Sequence, residues 1–191
     1  MALYTKSYLR QIANTETLNE SSKLFSQRDV EHISFDIFLC HSYLDKEEIK
    51  GMYLELTRSG YPVYVDWIVD PQLDRGRVTK ETAETVRKRL RSSKSLLLAF
   101  SINAGMSKWM PWELGYVDGN QKNCAIVPVA ENTQASYDRS EYLLLYPEIL
   151  KPGTKIEIKD KLYAIEDANT YVGFPDWLHG SKPTYRSARL F

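Results

Sequence analysis

Four short apolar runs recur along the chain, at residues 35–39 (FDIFL), 61–66 (YPVYVD), 95–100 (SLLLAF) and 124–129 (CAIVPV), with amphipathic segments between them. Each has the length of a strand and favours β-branched, aromatic or leucine residues. Runs without a polar alternation suit strands covered on both faces. Parallel neighbours must be joined by crossover segments, and the intervening stretches have the length and spacing of helices. The rhythm therefore predicts a doubly wound α/β fold with a central parallel sheet.

The connecting segments carry their own signals. Asp45 is placed to cap a helix supported by Glu48, with Ile49, Met52, Tyr53 and Leu56 on one stripe and Gly60 beyond its end. Pro62 falls at the start of its strand, where a missing donor is tolerated. The stretch WIVDPQLDRGR after that strand, with Pro71 and Gly76, reads as a long irregular loop. Residues 79–91 form a second helix, with Ala83, Val86 and Leu90 on one face and a basic run around it. Ser107 is placed to cap a third, whose first turn holds Pro111 and whose end is marked by Gly119. Residues 1–32 are polar with weak helical spacing through Tyr4, Tyr8 and Ile12, and are expected to be an extension outside the core. The main domain is expected over residues 33–150. Residues 151–191 are read as a carboxyl-terminal extension packed on the core, with a hairpin turning at Lys159 and Asp160.

A chain of 191 residues with 43% hydrophobic content suits one well-buried core rather than two. Lys plus Arg and Asp plus Glu number 25 each, so no global field favours nucleic acid or an anionic membrane as partner. Cys40 and Cys124 sit in or beside apolar runs and are expected to be reduced, buried thiols. No stretch approaches the ~18 apolar residues of a spanning helix, and the amino terminus lacks an uninterrupted apolar core, so a soluble, cytoplasmic protein is expected. His32, His41 and His179 are scattered, and no cluster has metal-ligand spacing. The dinucleotide fingerprint, the phosphate loop and the nucleophile elbow are all missing, which removes most support for kinase, NTPase and hydride-transfer chemistry. Cys40 beside His41 is a poor thiol dyad, because adjacent residues seldom bring imzidazole and sulfur into productive contact.

In a sheet of this kind ligands bind beyond the carboxyl ends of the strands. The residues there are Cys40, His41 and Ser42 after the first run, Asp66 and Trp67 after the second, and residues 101–109 after the third. In SINAGMSKWMPWELGYVDG, Trp109 and Glu113 are four apart and share one helix face. That spacing suits a carboxylate and an indole at a ligand edge, and equally a pair of core aromatics with a solvated glutamate.

FDIFLCHSYLDKE, YPVYVDW with its following loop, and SLLLAFSINAGMSKWMPWEL occur in the order and spacing of the boxes of a Toll/interleukin-1 receptor (TIR) domain, which this chain resembles over about residues 33–130. The resemblance implies a flavodoxin-like arrangement of the sheet. It is strongest to bacterial TIR proteins that cleave NAD, and the size and carboxyl-terminal extension are similar to stand-alone TIR proteins of Thoeris-type antiphage systems. In enzymatic members the glutamate four residues after the tryptophan is the catalytic carboxylate. The resemblance thus assigns that role to Glu113, stacking on nicotinamide to Trp109, and lining of the NAD pocket to Ser42 and Asp66, with His41 beside them. Two departures stand out: the loop CHSYLD lacks a basic residue that some members place near the phosphates, and Ala104 replaces an aromatic.

The implied chemistry needs no cofactor, NAD being the substrate. Ordinary glycosidases use two carboxylates because the leaving oxygen must be protonated. The nicotinamide of NAD is already cationic and leaves neutral, so one carboxylate that stabilises the ribosyl cation and one ring that holds the pyridine are sufficient. Water as acceptor gives ADP-ribose, and a group of the same molecule gives a cyclic ADP-ribose, a signal for a downstream effector; the residues are compatible with both. The resemblance also implies self-association through TIR domains, with the loop of residues 67–78 contributing. The rival reading from another class is a non-catalytic TIR adaptor or scaffold using that same loop. A third is an enzyme similar to nucleoside deoxyribosyltransferases.

Overall fold

The four apolar runs become neighbouring strands of one sheet. A computed structural model describes residues 4–15, 33–132, 141–151, 162–187 and 189. The elements are β1 (Tyr4–Thr5), α1 (Lys6–Thr15), β2 (Phe35–Cys40), α2 (Lys46–Arg58), β3 (Val63–Tyr64), α3 (Asp66–Val69), α4 (Lys80–Arg91) and β4 (Ser93–Phe100). They continue with α5 (Trp109–Gly119), β5 (Asn123–Ala130), β6 (Glu148–Leu150), β7 (Tyr163–Ile165), β8 (Thr170–Gly173), α6 (Phe174–Leu178) and β9 (Thr184–Tyr185). The strand order is β3-β2-β4-β5-β6-β7-β8-β9, parallel from β3 to β6 and antiparallel from β6 onward. The doubly wound expectation holds for the parallel half, and the carboxyl-terminal strands continue the same sheet.

Alternation along the central strands divides the core into two layers. On β4, Leu97 and Ala99 face one layer and Leu96 and Leu98 the other; on β5, Ala125 and Val127 oppose Cys124 and Ile126. The first layer is closed by Ile49, Met52, Tyr53 and Leu56 of α2, and the second by Val86 and Leu90 of α4 with Leu114 and Val117 of α5. Full burial of each such side chain stabilises the fold by about 1.5–3 kcal/mol, which fixes the helices on their faces and so aims their ends at the sheet edge.

Four sequence expectations are corrected. Residues 4–15 are not outside the core: Tyr4 and Thr5 pair with Val129 and Ala130 of β5, and Leu9 is fully buried against α2. Their apolar stripe is narrow, but the sheet edge and Gly51 provide a matching surface; a Cβ on Gly51 would come within 2.0 Å of the Leu9 carbonyl oxygen. The second strand ends at Tyr64, and Asp66 opens α3, so the following loop is helical in its first turn. Asp45 does not cap α2 with its side chain; its carboxylate instead accepts from Ser101 Oγ at 2.5 Å and Asn103 Nδ2 at 2.7 Å. Glu48 likewise turns to Arg10 Nη2 at 2.7 Å, because α1 covers this end of α2. α5 ends at Gly119 as expected, and the residue of positive φ beyond it is Gln121 (φ 55°). The expected turn at Lys159 and Asp160 lies outside the described residues, while its second arm is β7. Both cysteines are buried and free, in keeping with reduced thiols.

Candidate active site

The carboxyl edge of β2, the first turn of α3 and the first two turns of α5 meet around one guanidinium. Arg75, in the loop between α3 and α4, donates from Nη1 to Asp66 Oδ2 at 2.8 Å and from Nη2 to Glu113 Oε1. Its guanidinium carbon lies 5.1 Å from the centroid of the Trp109 ring, and its carbonyl accepts the indole N–H of Trp109 at 3.0 Å. Asp66 of α3 and Trp109 and Glu113 of α5 thus share one partner.

Each carboxylate owes its position to local structure. Glu113 lies one turn after Trp109 on α5, which packs against β2, β4 and β5, and it is fully buried. Its second oxygen, Oε2, is buried without a hydrogen-bond partner among the described residues. Asp66 starts α3 and accepts the Trp67 backbone N–H at 2.9 Å, where a helix start favours negative charge. Burial would raise its pKa, but the Arg75 guanidinium, together with the Trp67 backbone N–H, outweighs this and holds the carboxyl below its ordinary value. The same pairing works on Arg75: burial disfavours its charge, and Glu113 and Asp66 more than restore it.

His41 is buried one step behind the carboxylates. Its Nδ1 is 2.8 Å from the Leu39 carbonyl, and its Nε2 accepts the Trp67 indole N–H at 3.2 Å, so the ring proton belongs on Nδ1. Nε2 is also 3.6 Å from Asp66 Oδ1. Ser42 is buried, and its hydroxyl accepts the Leu44 N–H at 3.4 Å in the turn before α2. Among the described residues, this local bond is the only hydrogen bond of its side chain. Cys40 ends β2 below Glu113; burial, then the adjacent carboxylate, push its thiol well above the usual range. Ala104, where the TIR pattern carries an aromatic, is buried in the second core layer, against which Trp109 also packs.

A second buried group frames the site. Arg89 of α4 holds Asp70 through Nε at 2.7 Å and Nη2 at 2.8 Å, while the Tyr64 hydroxyl donates to the same carboxylate at 2.9 Å. This pins the end of α3 to the sheet. Among the described residues, no group of three or more His, Cys, Asp or Glu has the geometry of a metal site.

Glu113, Trp109, Asp66, His41 and Ser42 are legible as candidates in the sequence, whereas Arg75 is not. An arginine between Asp74 and Gly76 in an irregular loop has the look of a solvated residue. Its one clue was the excess of carboxylate that the two acidic candidates would bring to the same edge.

No family model matches the chain. A protein of Bacillus cereus (strain MSX-D12) named as a 3' cyclic ADP-D-ribose synthase, ThsB', is 46% identical over 145 residues, which is 75% of this chain and 75% of the relative. A Cytobacillus dafuensis protein named as a cyclic ADP-D-ribose synthase, TIR2, is 31% identical over 83 residues, 43% of this chain and 22% of that longer protein. Among solved structures, the TIR domain of the Toll-related receptor TRR-2 of Hydra magnipapillata overlays with a TM-score of 0.45 at 18% identity, covering 60% of this chain and 84% of that one. With nearly half its residues shared across three quarters of both chains, this protein belongs to the same family as the ThsB' relative, that of the bacterial TIR-domain proteins.

Proposed function

We propose that this protein cleaves the bond between nicotinamide and ribose in NAD and closes the product into a cyclic ADP-ribose, with Glu113 as the catalytic carboxylate. The observation that carries this reading is the convergence of Glu113, Asp66 and Trp109 on one planar cation, the kind of group that the nicotinamide end of NAD presents. With formal charges of −1 on each carboxylate, the pair favours a cationic ligand. A buried carboxylate is also where electrostatic stabilisation of a developing ribosyl cation is strongest.

In the proposed reaction the pyridinium ring stacks on Trp109 and the ribose carbon stands beside Glu113. The C–N bond breaks with its electron pair passing to the nicotinamide nitrogen, which leaves neutral. The positive charge left on the ribosyl carbon and ring oxygen is opposed by Glu113. Oε2 of Glu113, which has no hydrogen-bond partner among the described residues, is available to a ribose hydroxyl. A nucleophile of the same molecule then bonds to the ribosyl carbon and releases its proton to solvent. The relative's name specifies the 3' isomer, and the same class of product is proposed here. His41 and Ser42 support the pocket wall behind Asp66.

The product would serve as a signal for a separate effector protein in antiphage defence, made in the cytoplasm. No helix among the described residues is long and apolar enough to cross a membrane. Self-association is part of the proposal: Tyr43, Leu44, Val78, Ile102 and Met106 are exposed apolar residues on the loops around the site, and a second copy would cover them. Incubation of the purified protein with NAD, with products separated by chromatography, tests the reading for wild type and Glu113→Gln. A cyclic product from wild type alone supports it. Absence of cleavage by wild type at every protein concentration favours the adaptor reading instead.

A further inference from the structure

The loop that carries Arg75 is exposed at Pro71, Gln72, Asp74, Gly76, Arg77 and Val78, and turns inward at Leu73 and Arg75. Leu73 packs on the second core layer, and its N–H is held by the Asp70 carbonyl at 2.8 Å. Arg75 is the next inward residue, only 15% of its side chain exposed. Its guanidinium lies against both carboxylates and the face of Trp109, and its own carbonyl holds that indole. Both carboxylates and the indole that would receive the nicotinamide-ribose end of a substrate are therefore already engaged by this one residue. A guanidinium is planar, delocalised and singly charged, as a pyridinium ring is, and both satisfy a pair of carboxylates and an aromatic face.

We infer that Arg75 is a built-in competitor for the site, a tethered planar cation that closes the resting chain and must leave before a planar cationic ligand can enter. The inference rests on the proposed site, and adds to it the device that holds it shut. The residues flanking Arg75 are solvent-exposed, so withdrawal requires rearrangement of a short surface stretch and leaves both core layers intact. The loss of two charge-assisted hydrogen bonds opposes that movement, so the closed form dominates until something favours the open one. Apparent affinity for a ligand is then reduced by the fraction of chains that are open.

Arg75→Ala tests this in the full chain. A carbocyclic NAD analogue that resists cleavage should bind the variant about tenfold or more tightly than wild type by calorimetry, that factor being the inverse of the open fraction. Methylguanidinium at millimolar concentration should compete with the analogue in Arg75→Ala and have no effect on its binding to wild type, where the tethered guanidinium already holds the site. Arg75→Gln, which keeps an amide donor toward Asp66, replaces Arg75→Ala if circular dichroism shows the latter unfolded. Weaker binding of the analogue to both variants, or failure of methylguanidinium to compete, overturns the inference and makes Arg75 a ligand-holding residue. If NAD is never cleaved but the analogue and methylguanidinium compete as described, the plug stands and the proposed activity falls.

Discussion

The Arg75 carbonyl accepts the Trp109 indole N–H at 3.0 Å while the Arg75 guanidinium, at the other end of the same residue, lies 5.1 Å from the Trp109 ring centroid. One residue thereby sets the orientation of the indole and covers its face. Trp109 is held edge-on to the loop before any ligand arrives, and releasing Arg75 frees both the ring and its N–H.

Trp109→Phe is expected to keep an aromatic face but lose the hydrogen bond to the loop, so the analogue should bind at least as tightly as to wild type. Trp109→Ala removes the face as well, and both binding and turnover should fall. Calorimetry and steady-state kinetics on the two variants separate the roles of ring and N–H. Equal losses in both would show that the ring has no stacking role.

Glu113→Gln keeps the shape of the side chain and removes its charge. Turnover should fall by about a hundredfold or more with analogue binding largely kept, as for a group that acts in the transition state. Product formation by chromatography measures the first, and calorimetry the second. Wild-type turnover in the variant would remove Glu113 from the mechanism.

Asp66 has a carboxyl held below its ordinary value of 3.8 in the folded chain. A depressed carboxylate pKa adds stability that is present above the unfolded value and is lost as pH falls through the folded one. Thermal melts of wild type should therefore lose stability below about pH 4, and Asp66→Asn should flatten that part of the profile. An unchanged acid limb in the variant would show that other groups govern acid unfolding.

The Cys124 thiol is pushed up to about 12 by burial and by Asp118, and Cys40 is raised well above the usual range by burial and Glu113. Neither supplies thiolate at pH 8. Titration with a disulfide reagent should find almost no reactive thiol in the native protein and both of the 2 cysteines after denaturation. Rapid native reaction of either would contradict the packing around β2 or β5.

Gly51 of α2 faces the Leu9 carbonyl, so Gly51→Ala should force α1 away and destabilise the fold by about 1–3 kcal/mol, the usual range for an overpacked core. Leu9→Ala leaves a cavity at the same contact and should cost about 2–5 kcal/mol. Denaturant melts measure both. If neither changes the midpoint, α1 is not part of the cooperative unit.

The residue pattern along the chain dictates the parallel half of the sheet, because unbroken apolar runs of strand length have few other places to go, and the helical stripe of Ile49, Met52, Tyr53 and Leu56 names the face that covers them. It also determined that Trp109 and Glu113 share a helix face, which follows from a four-residue step alone. The strand after Pro62 was legible in existence but not in length, since Asp66 serves α3 better than it serves a strand end. Asp45 followed the local capping pattern and was claimed instead by Ser101 and Asn103, residues more than fifty positions away. That α1 belongs to the core and that Arg75 reaches Asp66 and Glu113 follow from contacts distant along the chain and not from local pattern. Local periodicity reports the energetics of neighbours along the chain, whereas the partner of a buried charge is whichever opposite charge the fold brings within a few ångströms, and desolvation then leaves it little alternative.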